Sequence, residues 1–171
     1  MIGAYSLIRK YLPDLIYGAN DGIVTTLAVI SGVVGASLST RVILILGFAN
    51  LLADGFSMGA SNVLARRSET ASEIAPLLRS ARHGVATFLG FLVAGFVPLA
   101  AYVVPWGPSD RFQFAVGMAF VTLFLVGAGR AAFTNRSALR AGIEMLSIGA
   151  FATLLAYLIG AIAARLVGSA S

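Results

Sequence analysis

The chain lacks cysteine altogether and carries little charge. Only 11% of its 171 residues are charged, with seven acids and a single histidine, whereas about 25% of the residues of an ordinary soluble domain are charged. The absence of cysteine excludes disulfides, thiolate metal sites and cysteine nucleophiles. So few charges cannot keep the surface of a soluble domain hydrated, and this excludes a soluble fold.

Apolar residues dominate instead, at 58% of the chain, and the mean hydropathy is +0.92. A helix needs about 20 mostly apolar residues to cross the hydrocarbon core of a membrane. Five such runs are present, at residues 12–36, 42–65, 85–104, 112–133 and 142–164. The sequence therefore predicts an all-α integral membrane protein, with residues 1–171 forming one transmembrane domain of five helices.

The basic residues orient these helices, because short cytoplasmic loops carry an excess of lysine and arginine. On one side lie nine basic residues: Arg9, Lys10, Arg66, Arg67, Arg79, Arg82, Arg130, Arg136 and Arg140. The other side has three: Arg41, Arg111 and Arg165. We expect a cytoplasmic N-terminus, a short cytoplasmic link at 66–82 and a C-terminus outside. The basic residues form no patch interleaved with aromatic residues, so we expect no nucleic-acid partner.

Two acids, Asp21 and Asp54, lie well inside the apolar runs. An aspartate at the centre of a membrane helix costs about 2.5–3.5 kcal/mol on insertion scales, so such residues face a protein interior or a water path and often mark transport. The loop acids Glu69, Glu73 and Asp110 are interpreted as solvated charges. The two intramembrane acids are therefore the first candidates for a functional site.

Helical periodicity places further polar side chains beside these acids. On the second run Asn50, Asp54, Met58 and Asn62 share one face, because residues four apart stack on a helix. On the first run Asp14, Gly18, Asp21 and Thr25 form a similar stripe, with Asn20 beside it. If the two stripes meet, carboxylate and amide oxygens converge with a thioether. Such a mixed set favours a divalent transition metal such as ferrous iron.

Each candidate has a structural alternative. Met58 could fill the core, which is the common fate of a methionine, and Asp21 could cap a helix interrupted at Asn20-Asp21-Gly22. Glu144 lies four residues after Arg140, and an ion pair with that arginine would explain it. His83, beside Arg82, is interpreted as a boundary residue.

Four segments together resemble the vacuolar iron transporter family. They are DLIYGANDGIVTTLAVISGVVGAS, NLLADGFSMGASNVLARRSE, RHGVATFLGFLVAGFVPLAAY and FTNRSALRAGIEMLSIGAFATLLAYLIG, and they span nearly the whole chain. The resemblance implies a homodimer with the path at its interface, moving Fe²⁺, and often Mn²⁺, out of the cytosol in exchange for protons. It also implies that Asp21 and Met58 line this path.

Two departures from the family pattern affect these expectations. Well-known members have a glutamate-rich cytoplasmic metal-binding domain between the second and third helices, but here the link is only residues 66–82, as in a short form. Asn50 and Asn62 stand where many members have acids. A membrane protein of the same fold that binds metal or a partner without transport is therefore the alternative function.

The expected metal-binding residues are Asp21, Asp54, Met58 and Asn50, and the weaker candidates are Asn20, Asn62 and Glu144. Iron or manganese is expected as the transported substrate and protons as the exchanged ion, with no permanently bound cofactor. An enzyme is not expected, because the serines and the one histidine show no nucleophile and base pattern. The expected location is a bacterial inner membrane, with a vacuolar or other organelle membrane as the alternative.

Overall fold

The computed structural model describes residues 2–68, 77–104, 110–131 and 137–168, with side chains from Arg9 onwards. It contains five α-helices: α1 (Ile2–Gly35), α2 (Thr40–Ser68), α3 (Leu77–Val103), α4 (Arg111–Arg130) and α5 (Ala138–Gly168). Each of the five is long and apolar enough to cross a membrane. The prediction of an all-α membrane protein with five transmembrane helices is confirmed.

Several helices extend beyond their apolar runs. Helix α3 begins at Leu77, well before the apolar run at 85–104, and α1 begins at Ile2. A helix satisfies its own backbone groups, so it continues into the polar region at a membrane surface, while apolar runs mark only the hydrocarbon part. The ends of the expected link 66–82 are therefore helical. Its middle, residues 69–76 with Glu69 and Glu73, lies outside the described residues.

The turn between α1 and α2 shows how a membrane helix ends. Ser37 has a φ of 56°, and the backbone N–H groups of Ser37 and Leu38 donate to the carbonyls of Val34 and Val33 at 2.9 and 3.0 Å. This pattern is a Schellman motif, which satisfies carbonyls left over at a helix end. At the start of α4, Asp110 accepts from the backbone N–H of Gln113 at 3.0 Å. Asp110 therefore caps a helix.

Helices α1 and α3 approach each other closely along glycines. A Cβ added at Gly22 would collide with the backbone carbonyl of Phe91, and one added at Gly90 would collide with that of Leu15. Helix α2 meets α3 in the same way, since a Cβ at Gly59 would lie 2.8 Å from the Gly84 carbonyl oxygen. These glycines therefore bring helices of one protomer together.

The basic side chains gather at one end of the bundle, which we call the basic end. The start of α1 meets the end of α2 and the start of α3 there, because Asp14 contacts both Arg66 and His83. Helices α4 and α5 join at this end through Arg130 and Glu144, whose side chains lie 3.3 Å apart. The basic residues described there are Arg9, Lys10, Arg66, Arg67, Arg79, Arg82, Arg130 and Arg140.

The contact between α1 and α3 predicts that Gly22→Ala destabilises the protein. The added methyl group cannot avoid the Phe91 backbone, and overpacking of this kind costs about 1–3 kcal/mol. The matched control is Gly117→Ala in α4, where an added Cβ meets nothing within 4 Å. Thermal unfolding in detergent should show a lower midpoint temperature for Gly22→Ala than for the wild type. The midpoint of the control should be unchanged. Equal midpoints would contradict this account of the contact.

Candidate functional site

The polar stripes of α1 and α2 meet near the middle of the helices. The hydroxyl of Thr25 donates to the backbone carbonyl of Asp21 at 2.8 Å, and the amide of Asn50 donates to this hydroxyl at 3.4 Å. The carboxylates of Asp21 and Asp54 lie close enough for their charges to interact. Two acids and an amide from two helices therefore share one region inside the apolar segments.

Asp54 is exposed beside the buried face of α2. That face consists of Ile43, Gly47, Leu51, Gly55 and Gly59. Asp54, Ser57 and Ser61 lie outside it and are exposed. In lipid, an exposed carboxylate at this depth needs a polar environment, since it has no water to solvate it. The exposed polar stripe of α2 is thus the surface of one protomer that most requires a cover.

A cavity of about 370 Å³ extends from this stripe toward the basic end. It is lined by Tyr17, Met58, Ser61, Asn62, Ala65 and Arg66. Met58 also packs against the buried core cluster around Leu51 and Phe91, so this side chain both fills space and borders the cavity. From Met58 to Arg66 the helix rises about 12 Å. The cavity therefore connects the basic end with the thioether next to the acids.

A second polar group, absent from the sequence-based expectations, surrounds Asp14 at the basic end. The Asp14 side chain is 4% exposed, and one of its oxygens, Oδ1, accepts from Arg66 Nη2 at 2.8 Å and from Asn62 Nδ2 at 2.9 Å. The other oxygen lies 2.5 Å from His83 Nδ1. An ionised carboxylate can only accept, so the imidazole donates from Nδ1. Both oxygens of the acid are thus fully used within the protein.

The same network fixes its own members. Asn62 also donates to Thr87 Oγ1 at 2.7 Å, and its carbonyl oxygen accepts from Arg66 Nε at 2.9 Å. The Thr87 hydroxyl donates to the His83 carbonyl at 3.2 Å. We call Asp14, Asn62, Arg66, His83 and Thr87 the Asp14 network. It joins α1, α2 and α3, and it directs the Asn62 oxygen to a guanidinium.

The remaining weaker candidates lie elsewhere. The carbonyl oxygen of Asn20 is buried and has no hydrogen-bond partner among the described residues, so it is available to a ligand or a water molecule. Glu144, on α5, is 48% exposed, and its carboxylate pairs with Arg130 of α4 at 3.3 Å. The arginine paired with it is therefore on α4, whereas the spacing argument had suggested Arg140.

The structure places His83 and Asp14 differently from the sequence interpretation. His83 is 6% exposed and bonded to an acid, so it is a buried member of a network and more than a boundary residue. A signal for it existed in the spacing. Asn62 and Arg66 are four residues apart, as are His83 and Thr87, so each pair shares a helix face. Which helix faced Asp14 was not readable from the sequence.

The described part of one protomer does not complete a metal site by itself. No three histidine, aspartate or glutamate side chains in it lie close enough together to hold a metal ion. Asp21 and Asp54 supply two carboxylates, and Asn50 and Met58 supply a neutral oxygen and a sulfur. The stripe therefore offers an incomplete set of metal ligands among the described residues.

The Asp14 network predicts that Asp14→Ala destabilises the fold. The substitution leaves the Asn62 amide and the His83 imidazole without their acceptor, and each unsatisfied buried group costs about 1–3 kcal/mol. Glu144→Ala is the matched control, because an exposed ion pair is worth about 0–1 kcal/mol. In detergent, the midpoint of thermal unfolding should fall much further for Asp14→Ala than for Glu144→Ala. If the midpoint temperature of Asp14→Ala falls no further than that of the control, this account of the network is wrong.

Comparison with known sequences agrees with this architecture. The sequence model of the VIT family matches residues 12–83 and 71–161. The two matched parts meet at the connection between α2 and α3.

Individual relatives cover most of the chain. A protein named vacuolar iron transporter from Plasmodium falciparum (isolate 3D7) is 24% identical over 229 aligned residues, with 92% of this chain and 84% of that protein covered. Vacuolar iron transporter homolog 5 from Oryza sativa subsp. japonica is 32% identical, with 75% and 71% covered. Vacuolar iron transporter 1 from Arabidopsis thaliana is 22% identical, with 84% and 82% covered.

The alignment with the Plasmodium protein is longer than the 171 residues of this chain. That relative therefore has segments without a counterpart here, as expected for a short form. Because the family model matches most of the chain, and the structure has five helices long and apolar enough to span a membrane, this chain belongs to the VIT family.

Proposed function

We propose that this protein transports ferrous iron, and also manganese, out of the cytosol in exchange for protons. The observation that carries the proposal is the pair of carboxylates, Asp21 and Asp54, on adjoining helices inside apolar segments. Charged groups at this depth are retained where ions or protons move. The relatives named vacuolar iron transporters support iron as the substrate.

The ligand set favours a divalent transition metal. Carboxylate and amide oxygens alone suit magnesium, calcium or manganese, and a thioether adds a softer ligand that favours ferrous iron. Met58 borders the cavity that leads toward Asp54. We assign Asp21, Asp54, Met58 and Asn50 as the metal-binding residues, and the buried oxygen of Asn20 as a further candidate.

A homodimer completes this site. In lipid the exposed carboxylate of Asp54 needs polar cover, and a second copy of the same stripe supplies it while doubling the ligands. A two-fold axis beside α2 would bring two acids from each copy toward one path. The incomplete set of ligands in a single protomer supports this arrangement.

Orientation and coupling follow from charge. We assign the basic end to the cytosol, because arginine and lysine concentrate on the cytoplasmic side of membrane proteins. The cavity lined by Arg66 and Met58 is then the cytosolic entrance. A carboxylate binds either a proton or a metal ion, so the same acids can exchange one for the other. A bacterial inner membrane and a vacuolar membrane both face the cytosol on this side, and export from the cytosol follows in either.

A second function, metal binding without transport, is favoured by one observation. Asn62, which stands where many family members have an acid, has both its donors and its carbonyl oxygen engaged in the Asp14 network. The stripe of α2 therefore has less negative charge than the family pattern. Flux and binding must be measured separately to distinguish the two functions.

The transport proposal predicts loss of flux in Asp21→Asn and Asp54→Asn. Each change keeps the side-chain shape and removes a charge that a divalent cation requires, so we expect at least a tenfold lower rate of Fe²⁺ uptake into proteoliposomes. A dye for internal pH should record proton movement opposite to the metal in the wild type alone. Metal binding by the wild type without flux would favour the second function.

The thioether has its own prediction and a matched control. Met58→Leu removes the sulfur and keeps the volume, so we expect weaker uptake of Fe²⁺ with Mn²⁺ uptake less affected, because the sulfur is the softer ligand. Met118→Leu makes the same chemical change on α4, away from the cavity, and should transport both metals like the wild type. Equal uptake of both metals by the Met58 and Met118 variants would assign Met58 to packing alone.

The dimer can be tested cleanly because the chain has no cysteine. Ser57→Cys places one thiol on the exposed stripe of α2, and Ile159→Cys places one on an outer face of α5 that is 64% exposed. Oxidation in membranes should cross-link the first variant into dimers and leave the second monomeric. Cross-linking at position 159 and none at position 57 would move the interface to α5.

A further inference from the structure

We propose that Asp14 is a positioning residue that neutralises and restrains Arg66, so that the entrance cavity admits a divalent cation. The inference rests on the proposed transport function. It assigns a role to the buried Asp14 network, which the metal-binding stripe does not use. Arg66 lines the same cavity as Met58.

A fixed positive charge at this place opposes cation entry. Two charges of the same sign repel each other, and Arg66 lines the space through which the ion would enter. A metal ion moving from the basic end to Met58 passes the guanidinium within the same 370 Å³ space. Without a negative charge beside it, this guanidinium would raise the energy of the entering ion.

The carboxylate of Asp14 supplies the compensating negative charge, and it lies outside the cavity, next to Arg66. Its Oδ1 accepts from Arg66 Nη2 at 2.8 Å, yet Asp14 is 4% exposed and does not line the cavity. The carboxylate therefore acts on the ion through Arg66, and it is not itself placed as a ligand. Because the acid is buried, its charge remains beside the guanidinium and is little screened by salt.

The network also holds the guanidinium in one position. Arg66 donates from Nη2 to Asp14 and from Nε to Asn62, at 2.8 and 2.9 Å. Asn62 is fixed in turn by Thr87, and Asp14 by His83. These two hydrogen bonds, to two different groups, hold the guanidinium in place at the cavity wall. His83 and Thr87 thus connect α3 to the entrance.

The test is a charge cycle on Fe²⁺ uptake in proteoliposomes. We expect Asp14→Asn to raise the half-saturating Fe²⁺ concentration at least fivefold, because it removes the buried negative charge that accepts from Arg66. We expect Arg66→Gln to lower that concentration or leave it within twofold. The double variant Asp14→Asn/Arg66→Gln should return to within twofold of the wild type, since the charge of the pair is again zero.

Two further experiments distinguish an effect of charge from an effect on the fold. Raising the ionic strength should reduce the defect of Asp14→Asn, since salt screens the part of the guanidinium field that reaches the cavity, and it should leave the double variant unchanged. Arg67→Gln is the matched control, because it removes the adjacent, exposed arginine and should behave like the wild type. Size-exclusion profiles establish that each variant is folded.

The outcomes distinguish this inference from the transport proposal. If the wild type takes up Fe²⁺ but the double variant is as impaired as Asp14→Asn, Asp14 acts as a ligand or a purely structural group, and the inference is wrong. A normal Asp14→Asn variant would also overturn it. If Asp14→Asn does not fold, Arg66→Gln is the deciding variant, because a half-saturating Fe²⁺ concentration more than twofold above that of the wild type contradicts the proposed role of the Arg66 charge.

Failure of the wild type to transport overturns the transport proposal itself. The same four proteins are then compared in anaerobic equilibrium binding of Fe²⁺. Weaker binding by Asp14→Asn with recovery in the double variant would retain the role of Asp14. Equal binding by all four proteins, or no binding by any, would reject it.

Discussion

The close contact between α1 and α3 determines how α1 presents its intramembrane acids. Gly18, Gly22 and Gly90 let the two backbones meet, and no side chain larger than hydrogen fits at Gly22 or Gly90 without displacement. Such a contact fixes the rotation of α1 about its own axis. Because residues four and seven apart share a helix face, this rotation presents Asp14 and Asp21 toward α2 at two depths. Glycines, which have no polar side chain, thus determine where the two acids of α1 lie.

The two acids of α1 meet the membrane in opposite ways. Asp14 is buried and has three partners from α2 and α3, so its charge is compensated within one protomer. The carboxylates of Asp21 and Asp54 lie close enough for their like charges to interact, and Asp54 is exposed. A buried carboxylate with three hydrogen-bond partners is held within the fold, whereas two like charges close together favour the binding of a cation or a proton. The contrast supports the proposal that the middle of the stripe, and not its Asp14 end, exchanges ions.

Much of this was predictable from the sequence. Apolar runs of about 20 residues predict five helices, and helical period places Asn50 with Asp54 and Met58 on one face. The resemblance to the vacuolar iron transporter family, carried by the segments around Asp21 and Met58, agrees with the family membership that the comparisons establish. The beginnings of α1 and α3 were placed too late, because hydropathy marks the hydrocarbon layer and not the end of the helix.

The Asp14 network could not be predicted in the same way. Its members come from three helices, with His83 separated from Asp14 by 69 positions, and periodicity orders residues only within a helix. His83 stands next to Arg82 in the sequence, which suggested a boundary residue, yet a helix turns about 100° between neighbours. Arg82 is exposed and His83 buried for this reason. The same limit applies to Glu144, whose partner Arg130 lies on another helix.

The shortness of the chain gives the entrance cavity particular weight. The alignment with the Plasmodium relative is longer than this chain, and the link 66–82 has no room for a metal-binding domain. In the proposed orientation, a metal ion approaches this cavity from a cytosolic end rich in arginine. A positive surface repels cations before they reach any ligand. In the role we propose for Asp14, its pairing with Arg66, which lines the cavity, removes this obstacle locally.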